Sequence, residues 1–237
     1  MPRQNRVTPF SELVAVAARG TLTGNRGVLH DELGRLTGRR WTHHAWVTCR
    51  LEFKGRHRPI MAPRRWTELF FLDEATAFAA GHRPCGECRR RDYVAFKAAW
   101  GKAHGLSGDS AEVSIAEIDR RMHVERVARM NGREEFREPV HGLPAGVFIT
   151  LPDSEGAWVV SGSRLLRWSP GGYDAVRPLP LGKSAALGQT AALLTPPSVA
   201  RALAAGYAPA LHPSHERWIG EGAVIPVDGG DAVNSLG

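Results

Sequence analysis

Three cysteines, at positions 49, 85 and 88, constrain this chain more than any other feature of its sequence. An odd count with one C-x-x-C pair, Cys85-Gly-Glu-Cys88, does not read as a disulfide framework. In a reducing compartment such a pair is a metal site or a redox pair. Pro84 and Gly86 suit a tight knuckle that turns two thiolates towards one ion, and backbone N–H groups of a knuckle can stabilise the sulfur charge. The motif follows a helical stretch instead of opening one, which argues against a thioredoxin-like role. Cys85 and Cys88 are therefore read as two ligands of a Zn2+ ion, which takes four donors in a tetrahedron.

The remaining elements are arranged around this knuckle. Residues 1–66 are rich in Arg, Gly and Trp and show little periodicity. Strand-like pieces occur at residues 46–53 and 67–72. Asp73 has the character of an N-cap, followed by a short Ala-rich helix over residues 74–80 that Gly81 stops. Residues 89–103 read as a second helix. A third begins near Ala111, with Ser110 as its cap, and ends at Asn131-Gly132. Between Leu143 and Val176 three short β runs alternate with Gly- and Ser-containing turns, the pattern of a β-meander. Thr195-Pro-Pro-Ser198 opens a last helix that ends at Gly206, where Ala204-Ala-Gly-Tyr-Ala-Pro209 echoes Ala79-Ala-Gly-His-Arg-Pro84, either as a recurrent helix stop or as a degenerate repeat. The expected class is α+β: a small zinc-knuckle N-terminal part, a helical middle and a short antiparallel β-meander. The expected division is 1–104, Arg-rich and zinc-binding, and 105–237, helix plus meander.

Residues 71–89, Phe-Leu-Asp-Glu-Ala-Thr-Ala-Phe-Ala-Ala-Gly-His-Arg-Pro-Cys-Gly-Glu-Cys-Arg, resemble the second half of the zinc-binding domain of Ada DNA-repair proteins, a match that extends over about residues 67–92. The shared pattern is an aromatic strand, an Ala-rich helix and Ala-Ala-Gly-aromatic-Arg-Pro-Cys-x-x-Cys-Arg. The resemblance implies that Cys49, Cys85 and Cys88 are zinc ligands. It departs upstream, where that family has a C-x-x-x-C pair and this chain has only Cys49. His44, five positions before Cys49, is the candidate fourth ligand, with His43, His30 and His57 as alternatives. In the Ada family an upstream cysteine accepts a methyl group from a DNA phosphotriester, and the departure falls on that part of the pattern.

The charge distribution points to a nucleic-acid partner. Residues 1–100 carry 18 Lys and Arg against nine Asp and Glu, whereas the rest of the chain is nearly balanced. Nearly all of these cations are arginine, whose planar fork matches phosphate oxygens. Arg56, Arg58, Arg64 and Arg65 precede the second strand-like piece, and Arg89, Arg90 and Arg91 begin the helix after the knuckle. A zinc ion joining Cys49 to the knuckle can bring the two clusters onto one face able to hold a phosphate backbone. Trp41, Trp46 and Trp66, interspersed among them, are candidates for stacking on unpaired bases or for the core of a small domain. The bland alternative is a solvated, arginine-rich face.

Asp119, His123 and Arg126 recur at helical spacing and are candidates for general acid/base chemistry. The same spacing also produces ordinary surface ion pairs. H-E-x-x-H, G-x-S-x-G and Walker A motifs are all lacking. No apolar run approaches the roughly 20 residues that cross a bilayer, so no membrane association is expected and the expected address is the cytoplasm. The leading expectation is a zinc-binding protein that interacts with nucleic acid, DNA first, in repair or processing. The alternatives are a DNA-acting enzyme of nuclease or glycosylase type with its site near Asp119 and His123, and a zinc-stabilised scaffold for a protein partner.

Overall fold

The structure is a computed structural model and describes residues 1–55, 59–106, 112–179 and 190–218. Among the described residues, two six-stranded sheets combine with four α-helices, an α+β architecture. The first sheet is mixed. Its strands are β1 (Arg6–Val7), β2 (Leu13–Val14), β3 (Leu22–Asn25), β4 (Val47–Arg50), β5 (Leu69–Phe71) and β6 (Arg83–Pro84), in the spatial order β2-β1-β5-β3-β4-β6. The second is antiparallel, with β7 (Arg137–Pro139), β8 (Phe148–Leu151), β9 (Ser154–Ser161), β10 (Arg164–Ser169), β11 (Gly172–Pro178) and β12 (Thr190–Leu193) in the order β11-β10-β9-β8-β12-β7. Strands β8 to β11 are the expected meander, extended by one strand.

The helices are α1 (Glu74–Ala79), α2 (Arg90–Ala103), α3 (Ile115–Met130) and α4 (Pro197–Ala204), and a 3-10 turn spans Pro213–Trp218. Helix α3 starts later than expected. Ser114 caps it by accepting from the Glu117 N–H at 3.4 Å, and Ser110 lies outside the described residues. Helices α1 and α4 end alike. Gly81 (φ +80°) and Gly206 (φ +113°) are left-handed, and the next residue donates to a carbonyl five positions back, His82 to Ala77 and Tyr207 to Ala202. Gly81 is doubly required, since a Cβ there would lie 2.6 Å from Cδ of Arg126. No helix among the described residues is long and apolar enough to cross a membrane.

One buried cluster crosses the chain from α1 to α4. Phe78, Phe96 and Trp100 pack with Ile118, Met122, Ile149, Trp158 and Leu203. The rings of Phe78, Phe96 and Tyr207 meet with centroids 5.2–5.6 Å apart. The residues on either side of position 104 thus share a core.

Helix α1 is buried along its whole length, and its N-cap and first turn each carry one acid, Asp73 and Glu74. Asp73 caps the helix through Oδ1, which accepts from the Thr76 N–H (2.8 Å) and hydroxyl (2.7 Å). Its Oδ2 accepts from the Tyr173 hydroxyl (2.5 Å) and the His212 N–H (2.9 Å). Glu74 accepts from Arg89 Nη2 (2.6 Å), the Tyr207 hydroxyl (2.7 Å) and the Ala210 N–H (3.1 Å). These two carboxylates join α1 to the meander, to α2 and to the segment after α4. Burying charge is costly unless every lone pair finds a donor, and here the donors are supplied. Glu74→Gln leaves Arg89 with only the partly exposed Asp92 as countercharge and should cost about 3–5 kcal/mol, whereas Tyr207→Phe, which deletes one hydrogen bond to a carboxylate, should cost about 2 kcal/mol. Urea unfolding of both variants checks this, and equal losses would contradict it.

Candidate metal centre

Cys49 lies on β4, Cys85 and Cys88 lie in the turn between β6 and α2, and strand register brings Cys49 and Cys85 together. Strands β4 and β6 run parallel with Val47 opposite Arg83 and Thr48 opposite Pro84. The next pair in that register is Cys49 and Cys85, and the Cys85 N–H continues the ladder to the Thr48 carbonyl at 2.9 Å. The knuckle then turns, with the Glu87 N–H donating to Cys85 Sγ at 3.4 Å. This delivers Cys88 to the head of α2. All three sulfurs lie within 4.8 Å of one another, the only group of three or more potential metal-ligating side chains so close among the described residues.

Arg89 fixes the knuckle from behind. It is 5% exposed. Its guanidinium donates to Glu74, to Asp92 Oδ2 (2.9 Å) and to Thr48 Oγ1 (2.9 Å). One side chain thereby ties the residue after Cys88 to the residue before Cys49. The sequence places Arg89 in a phosphate-binding cluster, but the structure buries it. Arg90 and Arg91 are exposed on α2, and Arg64 and Arg65 are exposed before β5, with Arg64 near Glu32 Oε1 at 3.3 Å. Arg56 and Arg58, like His57, lie outside the described residues.

The cysteine electrostatics follow from this packing. The Cys85 thiol is held down to about 5 by the hydrogen bond from Cys49, against burial, with help from the Cys88 and Glu87 N–H groups. The Cys49 thiol is pushed up by its bond to Cys85 and then by burial, and burial pushes up Cys88. The packing thus favours negative charge on Cys85 over Cys49 and Cys88, and a bound cation would favour the thiolate form of all three. A zinc tetrahedron with bonds of about 2.3 Å spaces its sulfurs by about 3.8 Å, inside the 4.8 Å within which these three sulfurs lie, so the cluster could hold a metal ion.

The three cysteines form part of the wall of a cleft of about 810 Å³. Phe53, Trp66 and Phe70 line it as well, together with Arg50, Lys54, Glu52, Glu68 and Glu87. Glu68 Oε2 accepts from the Met61 N–H at 2.6 Å and so closes the loop leading to β5. Of the three tryptophans singled out in the sequence, Trp66 faces the cleft, Trp46 is buried and Trp41 is half-buried.

The other predicted residues lie outside the sulfur cluster. The His44 ring does not join the sulfur cluster; it stacks on His123 with centroids 3.9 Å apart. His43 bonds Asn25 Oδ1 (3.0 Å), and His30 is buried on Thr67 Oγ1 (2.6 Å). Asp119 is buried, and both of its oxygens are taken by Arg83, at 2.8 and 2.7 Å. Arg126 is buried with its guanidinium carbon 3.9 Å from the Trp46 ring centroid, donating to the Gly81 and His44 carbonyls and lying 2.9 Å from His123 Nδ1. His123 and Arg126 meet as the helical spacing implies, while Asp119 pins β6, two residues from Cys85, to α3. The bidentate Arg83–Asp119 pair has no local sequence signature, because its partners are 36 positions apart.

Compared with protein-family models, with curated proteins and with solved structures, the chain matches none.

Burial, then Arg126 and His44, hold the His123 imidazole down to about 4; burial, with Arg26 and Arg126, holds His82 well below its ordinary value. Both stay neutral in the fold while the unfolded chain takes up protons below about pH 6.5. Stability should therefore fall as pH drops from about 6.5 towards 4. His123→Gln should make that fall shallower. Unfolding midpoints at neutral and mildly acidic pH test this, and an identical pH slope in wild type and variant would contradict it.

Proposed function

We propose that this chain is a zinc-binding protein that holds Zn2+ with Cys49, Cys85 and Cys88 and uses the adjoining cleft to engage nucleic acid, DNA first, in repair or processing. The observation that carries the reading is the convergence of three sulfurs within 4.8 Å on the wall of a cleft with aromatic lining. Zinc at three thiolates would brace β4, the knuckle and α2 as one unit and accept a fourth donor. The resemblance of residues 67–92 to Ada zinc domains supports the same metal and the same class of partner.

The surroundings favour a particular mode of contact. Residues 50–65 carry six basic residues, Arg50, Lys54, Arg56, Arg58, Arg64 and Arg65, against one acid, Glu52. Glu52, Glu68 and Glu87 line the cleft itself, so its interior is poorly suited to phosphate. Phe53, Trp66 and Phe70 place rings on the cleft wall, with Lys54 over Phe53 (5.2 Å) and Arg6 over Phe70 (4.8 Å), so an unpaired base stacking there would compete with or sandwich against these cations while the basic segment meets the backbone. An acid/base site at Asp119 and His123 draws no support, since Arg83 already occupies the Asp119 carboxylate.

Binding to a labelled single strand should weaken with salt at a slope of about −0.7 per phosphate contacted, and about −0.9 for a duplex. Reversing Arg50 and Lys54 to Glu should lower both affinity and slope. Trp66→Ala should weaken single-strand binding by about 1–3 kcal/mol while leaving the slope unchanged. Cys88→Ser should lose metal and stability together. Affinity that is indifferent to salt and to the double reversal would refute the nucleic-acid reading; metal retained by Cys88→Ser would refute the metal reading.

A further inference from the structure

The buried arginines of this protein fall into two kinds. Arg83 and Arg89 each meet a buried carboxylate, Asp119 and Glu74. Arg26 and Arg126, each 1% exposed, do not pair with a carboxylate of any described residue. Arg26 donates to the Ser11 carbonyl (3.0 Å) and hydroxyl (3.3 Å), lies 3.4 Å from His82 Nε2, and stacks 4.4 Å from the Trp46 ring. Arg126 covers the same indole and donates to carbonyls and to His123. Arg129, with Nη2 on the Ala79 carbonyl at 3.0 Å, adds a third guanidinium whose bonds go to neutral groups. Burying cations beside one another without a countercharge is costly. The cost is visible in Arg26, held down to about 9 by burial and then by Arg126, Arg129 and Arg40.

Arg26 forms part of the wall of a second cavity, of about 250 Å³. Arg39 and Arg40 line the same cavity, with Ser11 and Gln4 as further polar groups and Glu12 as its one acid. Ser11 is held at φ +73°, a conformation a non-glycine residue rarely adopts, and in it the residue presents both of its oxygens to Arg26. Arg40 spends Nη1 on Asn131 Oδ1 (2.9 Å) and Nη2 on the Met130 carbonyl (3.0 Å), at the end of α3. Arg39 is exposed at the rim. Three guanidiniums against one carboxylate give the cavity a net positive lining. The volume suits a small anion or the end of a larger one, being below the roughly 300–1,000 Å³ typical of drug-sized ligand pockets.

We propose that this cavity is a binding site for a phosphate monoester, with Arg26 as the buried countercharge and Arg39 and Arg40 closing on the phosphate from the rim. A guanidinium fork matches tetrahedral phosphate oxygens, and a dianion offsets two of the lining charges. Free phosphate, a nucleotide and a 5′-phosphorylated strand end present the same group. The site is separate from the sulfur cluster and does not depend on the cleft reading above.

The test uses the full chain. Inorganic phosphate should raise the melting temperature more than chloride at matched ionic strength, as a ligand that binds only the folded state does. In 31P NMR titrations, Arg39→Glu should weaken phosphate binding by about tenfold or more while Arg39→Lys keeps most of it. Arg39 has an exposed side chain, so neither variant endangers the fold. A nucleoside 5′-monophosphate, and a short strand with 5′-phosphate set against the same strand with 5′-hydroxyl, identify the source: preference for the phosphorylated strand assigns the site to a strand end, and equal strand binding with retained phosphate binding assigns it to a free or mononucleotide phosphate. Stabilisation by phosphate no greater than by chloride, or phosphate affinity unchanged in Arg39→Glu, would overturn the proposal.

Discussion

The Arg89 guanidinium reaches three elements at once, and most of the architecture hangs on that reach. It meets Glu74 at the start of α1, Asp92 in the first turn of α2 and Thr48 on β4. Glu74 extends the connection to Tyr207 and Ala210 beyond α4, and its neighbour Asp73 carries it to Tyr173 in the meander. A charge placed this deep is tolerated because each partner is itself hydrogen-bonded. The consequence for the candidate site is positional. The residues that flank Arg89 and Thr48 are Cys88 and Cys49, so the pair that stabilises the fold also sets the spacing of the sulfurs.

A second ion pair supports the same site through β6. Arg83 and Asp119 tie β6 to α3 with two short bonds, and Cys85 follows two residues later. Arg126 braces the turn before β6 by bonding the Gly81 carbonyl. The knuckle is held by side chains on both flanks before any metal is considered. Such preorganisation lowers the ordering cost of binding an ion.

What is legible in the sequence divides along the line between local and long-range determinants. The Asp73 cap, the alanine run, Gly81 and the turn between Cys85 and Cys88 are local signals, and each is found where the sequence places it. The meander is legible for the same reason, since its turns and alternation are contiguous. Strands β1 to β3 are not legible, because two to four residues carry no period and their existence depends on pairing with β5 and β4. The nearness of Cys49 to the C-x-x-C is a matter of β4–β6 register, which spacing alone does not encode; only the resemblance points to it. Arg89 and Asp119 illustrate the opposite error. Charge clusters and helical spacing suggest solvent-facing or catalytic roles, whereas burial turns both residues into ties within the fold. His44, placed by proximity in sequence to Cys49, stacks on His123 instead.

The central claim is that Cys49, Cys85 and Cys88 act together on one zinc ion. X-ray absorption at the zinc edge, on protein purified without added metal, addresses it most directly. The account predicts a first shell of three sulfur atoms at about 2.3 Å with one lighter nitrogen or oxygen donor. A shell of nitrogen and oxygen alone, or protein that contains no zinc while all three thiols remain free to alkylate, would contradict it.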